Sequence, residues 1–146
     1  MKISTKARYG IKALIDLAIH SSTDHVALKA IAERQNISER YLEQVFAQLR
    51  KSGLVKSVKG PQGGYLLAIA PDKTSLYEII TALEGCDTFS ESDVNAVLDA
   101  ADQVVDSMLW QPLDLKIAAH LKSVTLNVLI EAYQDATHTQ HMMFFI

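Results

Sequence analysis

Arg40 and Gln44 stand four residues apart, with Glu43 between them, in a segment that also carries Leu42, Val45, Phe46 and Leu49. A guanidinium and a carboxamide each make two hydrogen bonds to a single base edge, which is the chemistry of reading duplex DNA through its major groove. The apolar residues fall at i, i+3, i+4 and i+7, which predicts a helix with Arg40, Glu43, Gln44, Ala47, Gln48 and Lys51 on the opposite face, Gln48 being a further candidate DNA contact. Ser38 caps that helix, and Glu39 complements the positive end of its dipole. Arg40 and Gln44 then lie near the N-terminal end, the part of a recognition helix that reaches bases, while Ser38 and Tyr41 are placed for phosphates. Phosphates would repel Glu43. Its carboxylate fits such a face as an acceptor for a cytosine amino group, or as a filter against sites that lack one.

A change of period follows the helix. Gly53 ends it, Val55 to Lys59 reads as a strand, Gly60-Pro61-Gln62-Gly63 as a turn, and Gly64 to Leu67 as the returning strand. A helix followed by a basic, Gly-tipped hairpin is the pattern of a winged helix-turn-helix. Lys56, Lys59, Gly60 and Gln62 are its candidate DNA contacts, on a turn slim enough to approach a minor groove. Charge is segregated to match: residues 1–74 hold 12 Lys and Arg against 6 Asp and Glu, and residues 75–146 hold 2 against 11. The net charge of -3 hides a basic half, and only that half suits a polyanion.

The elements that position these residues are readable on either side. Helix one starts near Ser4 and places Ile11, Leu14, Ile15 and Ala18 on one face, with Lys6, Arg8 and Lys12 outside that stripe and Lys6 and Arg8 as further candidate DNA contacts. A second helix spans about 28–35, with Leu28, Ile31 and Ala32 inward, the poor cap Ala27 before it and a left-handed stop at Asn36. These give a helix-turn-helix over about 28–51 and a wing over about 55–68, within a DNA-binding domain of residues 1–85. After Pro71, Ser75 and Glu78 form a capping box for a helix carrying Leu76, Ile79, Ile80 and Leu83 and ended by Gly85.

Residues 86–133 read as a loop and a helical dimerisation region. From Asp93, apolar residues recur at spacings of three and four, predicting a long helix whose seam includes Val97, Leu98, Val105, Met108 and Leu109. Pro112 is expected to kink or interrupt it before Ile117 and Leu121 resume the pattern. That seam suits either a second copy of the chain or the protein's own domain. A short helix from about Leu126 to Tyr133 is expected next, then a polar tail over 134–146 ending in Phe144, Phe145 and Ile146.

The fold class is therefore mainly α with a small β-hairpin wing and a long C-terminal helix. A chain of 146 residues supports one compact core. No apolar run has the length of a signal peptide or membrane span, and the lone Cys86 excludes an internal disulfide, so a cytoplasmic protein without membrane association is expected. An enzyme would need a nucleophile with a base, or paired carboxylates, and neither Cys86 nor His120 has a recognisable partner. Cys86 is either a redox switch or an inert small side chain. His138 and His141 have the H-x-x-H spacing of half a metal site, but nothing completes it, so no metal is expected; His20, His25 and His120 are isolated residues in surface or capping roles.

The segments KISTKARYGIKAL, YLEQ and LRKSGLVKSVKGPQGGYLL, with Leu109-Trp110 further on, resemble the Rrf-two family of bacterial winged-helix transcriptional regulators over nearly the whole chain, most strongly over residues 1–85. The resemblance implies a homodimer in which the long helix of each subunit crosses onto its partner, with two winged domains on a partly palindromic site. Cluster-binding members, the IscR type, carry three cysteines in the loop where this chain has only Cys86. One thiolate does not hold an iron-sulfur cluster, so no cofactor is expected. The chain looks more like the cluster-free CymR branch, repressors of cysteine and sulfur metabolism. That branch implies cysteine synthase as a partner, engaging the C-terminal Ile146; Met142 to Ile146 can equally fold back onto the body or the dimer partner. Two other readings remain open: a family regulator of another stress or redox regulon acting through Cys86, and a protein-interaction module with a vestigial DNA-binding domain. Lys59 stands where arginine is common in the family, which keeps the charge and loses the planar fork.

Overall fold

The structure, a computed structural model, describes residues 3–85 and 97–144. Ser4 accepts the Ala7 amide and opens α1 (Thr5–His20). The fully buried stripe of α1 is Ala7, Gly10, Ala13, Leu14 and Leu17, whereas Ile11, Ile15 and Ala18 pack half-buried along its borders. The stripe is rotated from the expected one because its smallest residues admit the neighbouring helices. A Cβ at Gly10 would lie 2.4 Å from Leu83 Cδ1 and 3.3 Å from Val45 Cγ1.

α2 (Leu28–Gln35) stops at Asn36, whose left-handed backbone (φ 54, ψ 48) lets its amide donate to the Ala32 and Glu33 carbonyls. α3 (Glu39–Lys51) starts at Ser38 and buries Leu42, Val45, Phe46 and Leu49 against Leu14, Leu17, Ile31 and Ile37. The angle between α1 and α2 is held by an ion pair that apolar spacing did not reveal. Asp16, 2% exposed, accepts Arg34 Nε and Nη2 at 2.9 and 2.7 Å and Gln35 Nε2 at 2.9 Å. The bond to Asp16 raises the Arg34 pKa above its ordinary value.

Beyond Gly53, β1 (Val55–Val58) and β2 (Gly64–Leu67) form an antiparallel hairpin with Val55 opposite Leu67 and Val58 opposite Gly64. The α1–α2 loop joins its edge: Val26 and Tyr65 exchange both backbone hydrogen bonds at 2.9 Å. A Cβ at Gly64 would sit 2.2 Å from the Val26 carbonyl oxygen, so glycine permits that approach. The Tyr65 ring packs on Phe46, centroids 4.8 Å apart, which seats the hairpin on the core. A short 3-10 turn (Pro71–Lys73) leads to α4 (Leu76–Glu84), whose Ser75/Glu78 capping box and Gly85 stop are as the sequence predicts.

The C-terminal region departs from expectation in three places. First, the long helix begins at α5 (Ala100–Val105), where Asp99 and Asp102 cap each other reciprocally, not at Asp93; residues 93–96 lie outside the described residues. Val97 and Leu98 consequently precede the helix and do not lie on its seam. Second, the interruption expected at Pro112 is present as a π-helical turn, but the chain stays helical through it. The backbone passes from α5 through five π-helical residues (Asp106–Trp110) into α6 (Gln111–Ser123), all right-handed at the junctions. The widened turn accommodates a ring that lacks an amide and would meet the carbonyl four residues earlier.

Third, α7 (Leu126–Met143) continues through the polar stretch after Tyr133. Residues 134–143 contain neither Pro nor Gly, so the end of the apolar pattern removes packing without removing helix propensity. Thr137 and Thr139 return their hydroxyls to carbonyls of the preceding turn. The base of α7 is anchored by backbone bonds from Leu76 to the Val124 carbonyl (2.9 Å) and from Leu126 to the Thr74 carbonyl (2.8 Å), and by burial of Leu126 and Ile130 in the core.

Candidate nucleic-acid interface

The first turns of α3 present Arg40, Glu43 and Gln44 to solvent. The Ser38 hydroxyl accepts the Tyr41 amide at 3.4 Å, and the half-buried Tyr41 ring meets Tyr9 of α1 edge-on, centroids 5.8 Å apart at 83°. Lys12 Nζ lies 5.9 Å from the Tyr9 ring centroid, so two aromatics and a cation from α1 adjoin the start of α3. Arg8 is exposed on α1. Tyr9 and Lys12 were not among the residues selected from sequence, because their relation to Tyr41 exists only once α1 crosses α3.

Gln48 does not face outward with Gln44. Its Nε2 donates to the Ala82 and Leu83 carbonyls at 2.6 and 3.2 Å, and its Oε1 accepts Lys6 Nζ at 3.3 Å. Four residues turn a helix by 400°, so Gln48 lies about 40° round from Gln44. There it meets the last turn of α4, whose carbonyls lack donors within their own helix. Lys6 is half-buried in the same cluster.

Beside α3, the hairpin exposes Lys56, Lys59, Gly60 and Gln62. Gly60 adopts φ 117, and the Gly63 amide closes the tip onto the Gly60 carbonyl at 3.0 Å. Arg50 Nη1 reaches Ser57 Oγ at 3.4 Å and fastens the end of α3 to β1. Between the hairpin and the start of α2 runs a groove lined by Lys29, Ser57, Lys59, Gly60 and Tyr65. No side chain caps the first turn of α2, so its free amides and Lys29 border this groove. Lys29 was recoverable in principle from a cation in the first turn of a helix with an Ala cap. The arrangement sets side chains able to bond a base edge at the centre and cations on both sides.

Other selected residues are dispersed. Val105, Met108 and Leu109 are exposed on the long helix, Met108 at 77%, while Ile117 and Leu121 are half-buried, with α6 packing on α4. Phe144 is 89% exposed. Cys86, Phe145 and Ile146 lie outside the described residues. Among the described residues no group of three or more His, Cys, Asp or Glu could hold a metal, and no helix is long and apolar enough to cross a membrane.

A recognition helix flanked by a wing is shared by many regulators, and the full sequence separates them. The profile of the Rrf2 family, described as iron-dependent transcriptional regulators, matches residues 3–132. This chain belongs to the Rrf2 family. IscR of Erwinia tasmaniensis is 38% identical over 130 residues, which are 89% of this chain and 79% of that one. The structure of IscR from T. potens superposes with a TM-score of 0.72 at 40% identity, covering 93% of this chain and 90% of the other. CymR, the global cysteine regulator of B. subtilis, gives 0.74 at 37% identity, covering 90% and 98%.

As an Rrf2 protein the chain is a DNA-binding transcriptional regulator with a winged helix-turn-helix fold, and not an enzyme. The residues present do not fit an iron-sulfur cluster. Such clusters are held by several thiolates, and the whole sequence supplies Cys86 alone.

Proposed function

We propose that this Rrf2 protein is a cytoplasmic, homodimeric, sequence-specific repressor of genes for cysteine and sulfur metabolism, working without a cluster. The observation that carries DNA recognition is the exposed Arg40, Glu43 and Gln44 at the start of α3, set beside a hairpin bearing Lys56 and Lys59. Arg8, Ser38, Tyr41, Gly60 and Gln62 surround them as backbone contacts, and Lys29 and the free first turn of α2 extend the cationic border. Gln48 and Lys6 act as the brace beneath this surface. The dimer reading rests on the long helix running from α5 through the π-helical turn into α6, which leaves Val105, Met108 and Leu109 exposed while its α6 part packs on α4. A second copy covers such a seam and sets two recognition helices on one duplex face.

The sulfur assignment rests on similarity to CymR, on the single cysteine and on the apolar segment that includes Ile146. Cysteine synthase is the proposed partner of that segment, through Phe144, Phe145 and Ile146.

The test is duplex binding across a salt series, with Lys59→Ala beside the parent protein. Each phosphate contact contributes about 0.9 to the slope of log affinity against log salt, so loss of two lysines from a dimer flattens it by about 1.8. A shallow slope that Lys59→Ala leaves unchanged rejects the wing as a DNA contact and favours a protein-interaction module.

A further inference from the structure

We propose that His25 is a positioning residue for the wing: its doubly protonated ring pins the hairpin tip to the α1–α2 loop, and DNA affinity follows the charge state of this one side chain. The proposal rests on the wing being a DNA contact. The geometry is a matter of donors and acceptors. Nδ1 lies 2.7 Å from Asp24 Oδ1, and Nε2 is hydrogen-bonded to the backbone carbonyl oxygen of Gln62 at the wing tip. A carboxylate and a carbonyl only accept, and a neutral imidazole has one N–H. The ion pair with Asp24 and the bond to the Gln62 carbonyl exist together only when the ring is an imidazolium.

The two ends of this clamp are held differently. On the loop side, Val26 follows His25 directly and is fixed by its paired bonds to Tyr65, and the His25 amide donates to Asp24 Oδ1 at 2.7 Å. On the wing side, the exposed tip from Lys59 to Gln62 has the Gly63-to-Gly60 bond as its own closure. His25 ties that tip to the body, and Lys59 lies three residues from the carbonyl it grips. Asp24 on its own loop is the titratable group paired with the ring, and Lys29, Glu39, Lys59 and Tyr65 line the neighbouring groove between the hairpin and α2. Among the described residues Asp24 is the charged group in contact with it.

The surroundings favour the charged ring. The bond to the Gln62 carbonyl raises the His25 pKa above its ordinary value, burial opposes this, and Asp24 adds to the rise through its charge and its hydrogen bond. Asp24 is held below the usual carboxylate range, chiefly by the His25 amide and then by the ring's charge. The sign follows from a raised value in the clamped state. Both contacts are complete below the ordinary histidine pKa; as pH rises through the raised one the ring keeps a single N–H, which cannot serve both Asp24 and the Gln62 carbonyl.

The experiment has two readouts on the full-length protein. In the free protein, NMR follows the His25 ring together with the Gly63 amide, which shares a peptide group with the gripped carbonyl. The expected result is that Gly63 titrates with the His25 ring, and that this transition disappears in His25→Gln. The second readout is affinity for a duplex selected by the protein from a random pool, between about pH 6 and pH 8.5. The parent protein is expected to lose about three- to tenfold more affinity across that interval than His25→Gln, the scale of one charge-assisted hydrogen bond at a partly exposed site. His25→Lys, cationic throughout, keeps affinity high and flat. A Gly63 amide indifferent to the ring overturns the clamp. A titrating Gly63 with identical pH profiles for parent and His25→Gln overturns the control of DNA affinity. Absence of any duplex binding refutes the DNA-recognition reading itself, and Gly63 still reports on the clamp.

Discussion

Replacing Asp16 by asparagine removes the charge from a carboxylate whose side chain is 1% exposed and which holds α2 against α1. Arg34 Nε lies 3.2 and 2.9 Å from its two oxygens, Arg34 Nη2 2.7 Å from one, and Gln35 Nε2 2.9 Å from the other. An asparagine of the same size turns a donor toward a guanidinium that already donates, so at least one bond is lost and its partner stays unpaired. Breaking one side of a buried pair costs about 3–5 kcal/mol. The Arg34 side chain is 36% exposed and turns part of its fork to water, which lowers the expected loss to about 2–3 kcal/mol. With an unfolding entropy of about 2.1 cal/mol/K per residue, a chain of this length loses about 7–10 °C of melting temperature. Urea unfolding followed by circular dichroism measures the free energy, and calorimetry the midpoint. The double variant Asp16→Leu with Arg34→Met is expected to recover most of the loss, because it leaves no uncompensated charge. A loss below about 0.5 kcal/mol, or one abolished by about 0.5 M salt, refutes the reasoning, since a pair buried on the carboxylate side is weakly screened.

Three further outcomes are expected. Glu43→Ala relaxes sequence preference more than it weakens binding; equal losses on selected and random duplexes would dismiss Glu43 as a specificity residue. Leu109→Asp, at a side chain 49% exposed in the single chain, shifts the protein toward monomer in light scattering and weakens palindromic-site binding, while an unchanged dimer would move the interface elsewhere. A peptide spanning residues 137–146 perturbs the pyridoxal phosphate fluorescence of cysteine synthase only when it retains Ile146; equal silence from intact and truncated peptides removes the proposed sulfur link.

Features set within about two helical turns were legible in the sequence. The Ser38 cap, the Ser75/Glu78 box, the Asn36 and Gly85 stops and the Leu42, Val45, Phe46 and Leu49 stripe all depend on residues at most seven apart, and each stands where the spacing put it. The hairpin was legible for the same reason, as was the family, which is written in strings of residues. Misreadings arose where the local signal was an apolar pattern and the outcome hung on something else: α7 runs on through Met143, where neither Pro nor Gly stops it, and the start of the long helix is set by the Asp99/Asp102 cap.

The remaining assignments needed partners distant in the chain. Gln48 looks like a neighbour of Gln44 until α4, 34 residues on, brings carbonyls to its amide. Asp16 looks like a solvated acid within an apolar helix until Arg34 and Gln35 meet it. His25 looks isolated until the hairpin delivers the Gln62 carbonyl from 37 residues away. Helical and strand periods follow from backbone geometry and are carried by the residues themselves. A polar side chain takes its role from whichever donors and acceptors packing brings to it, and only the tertiary fold decides which those are.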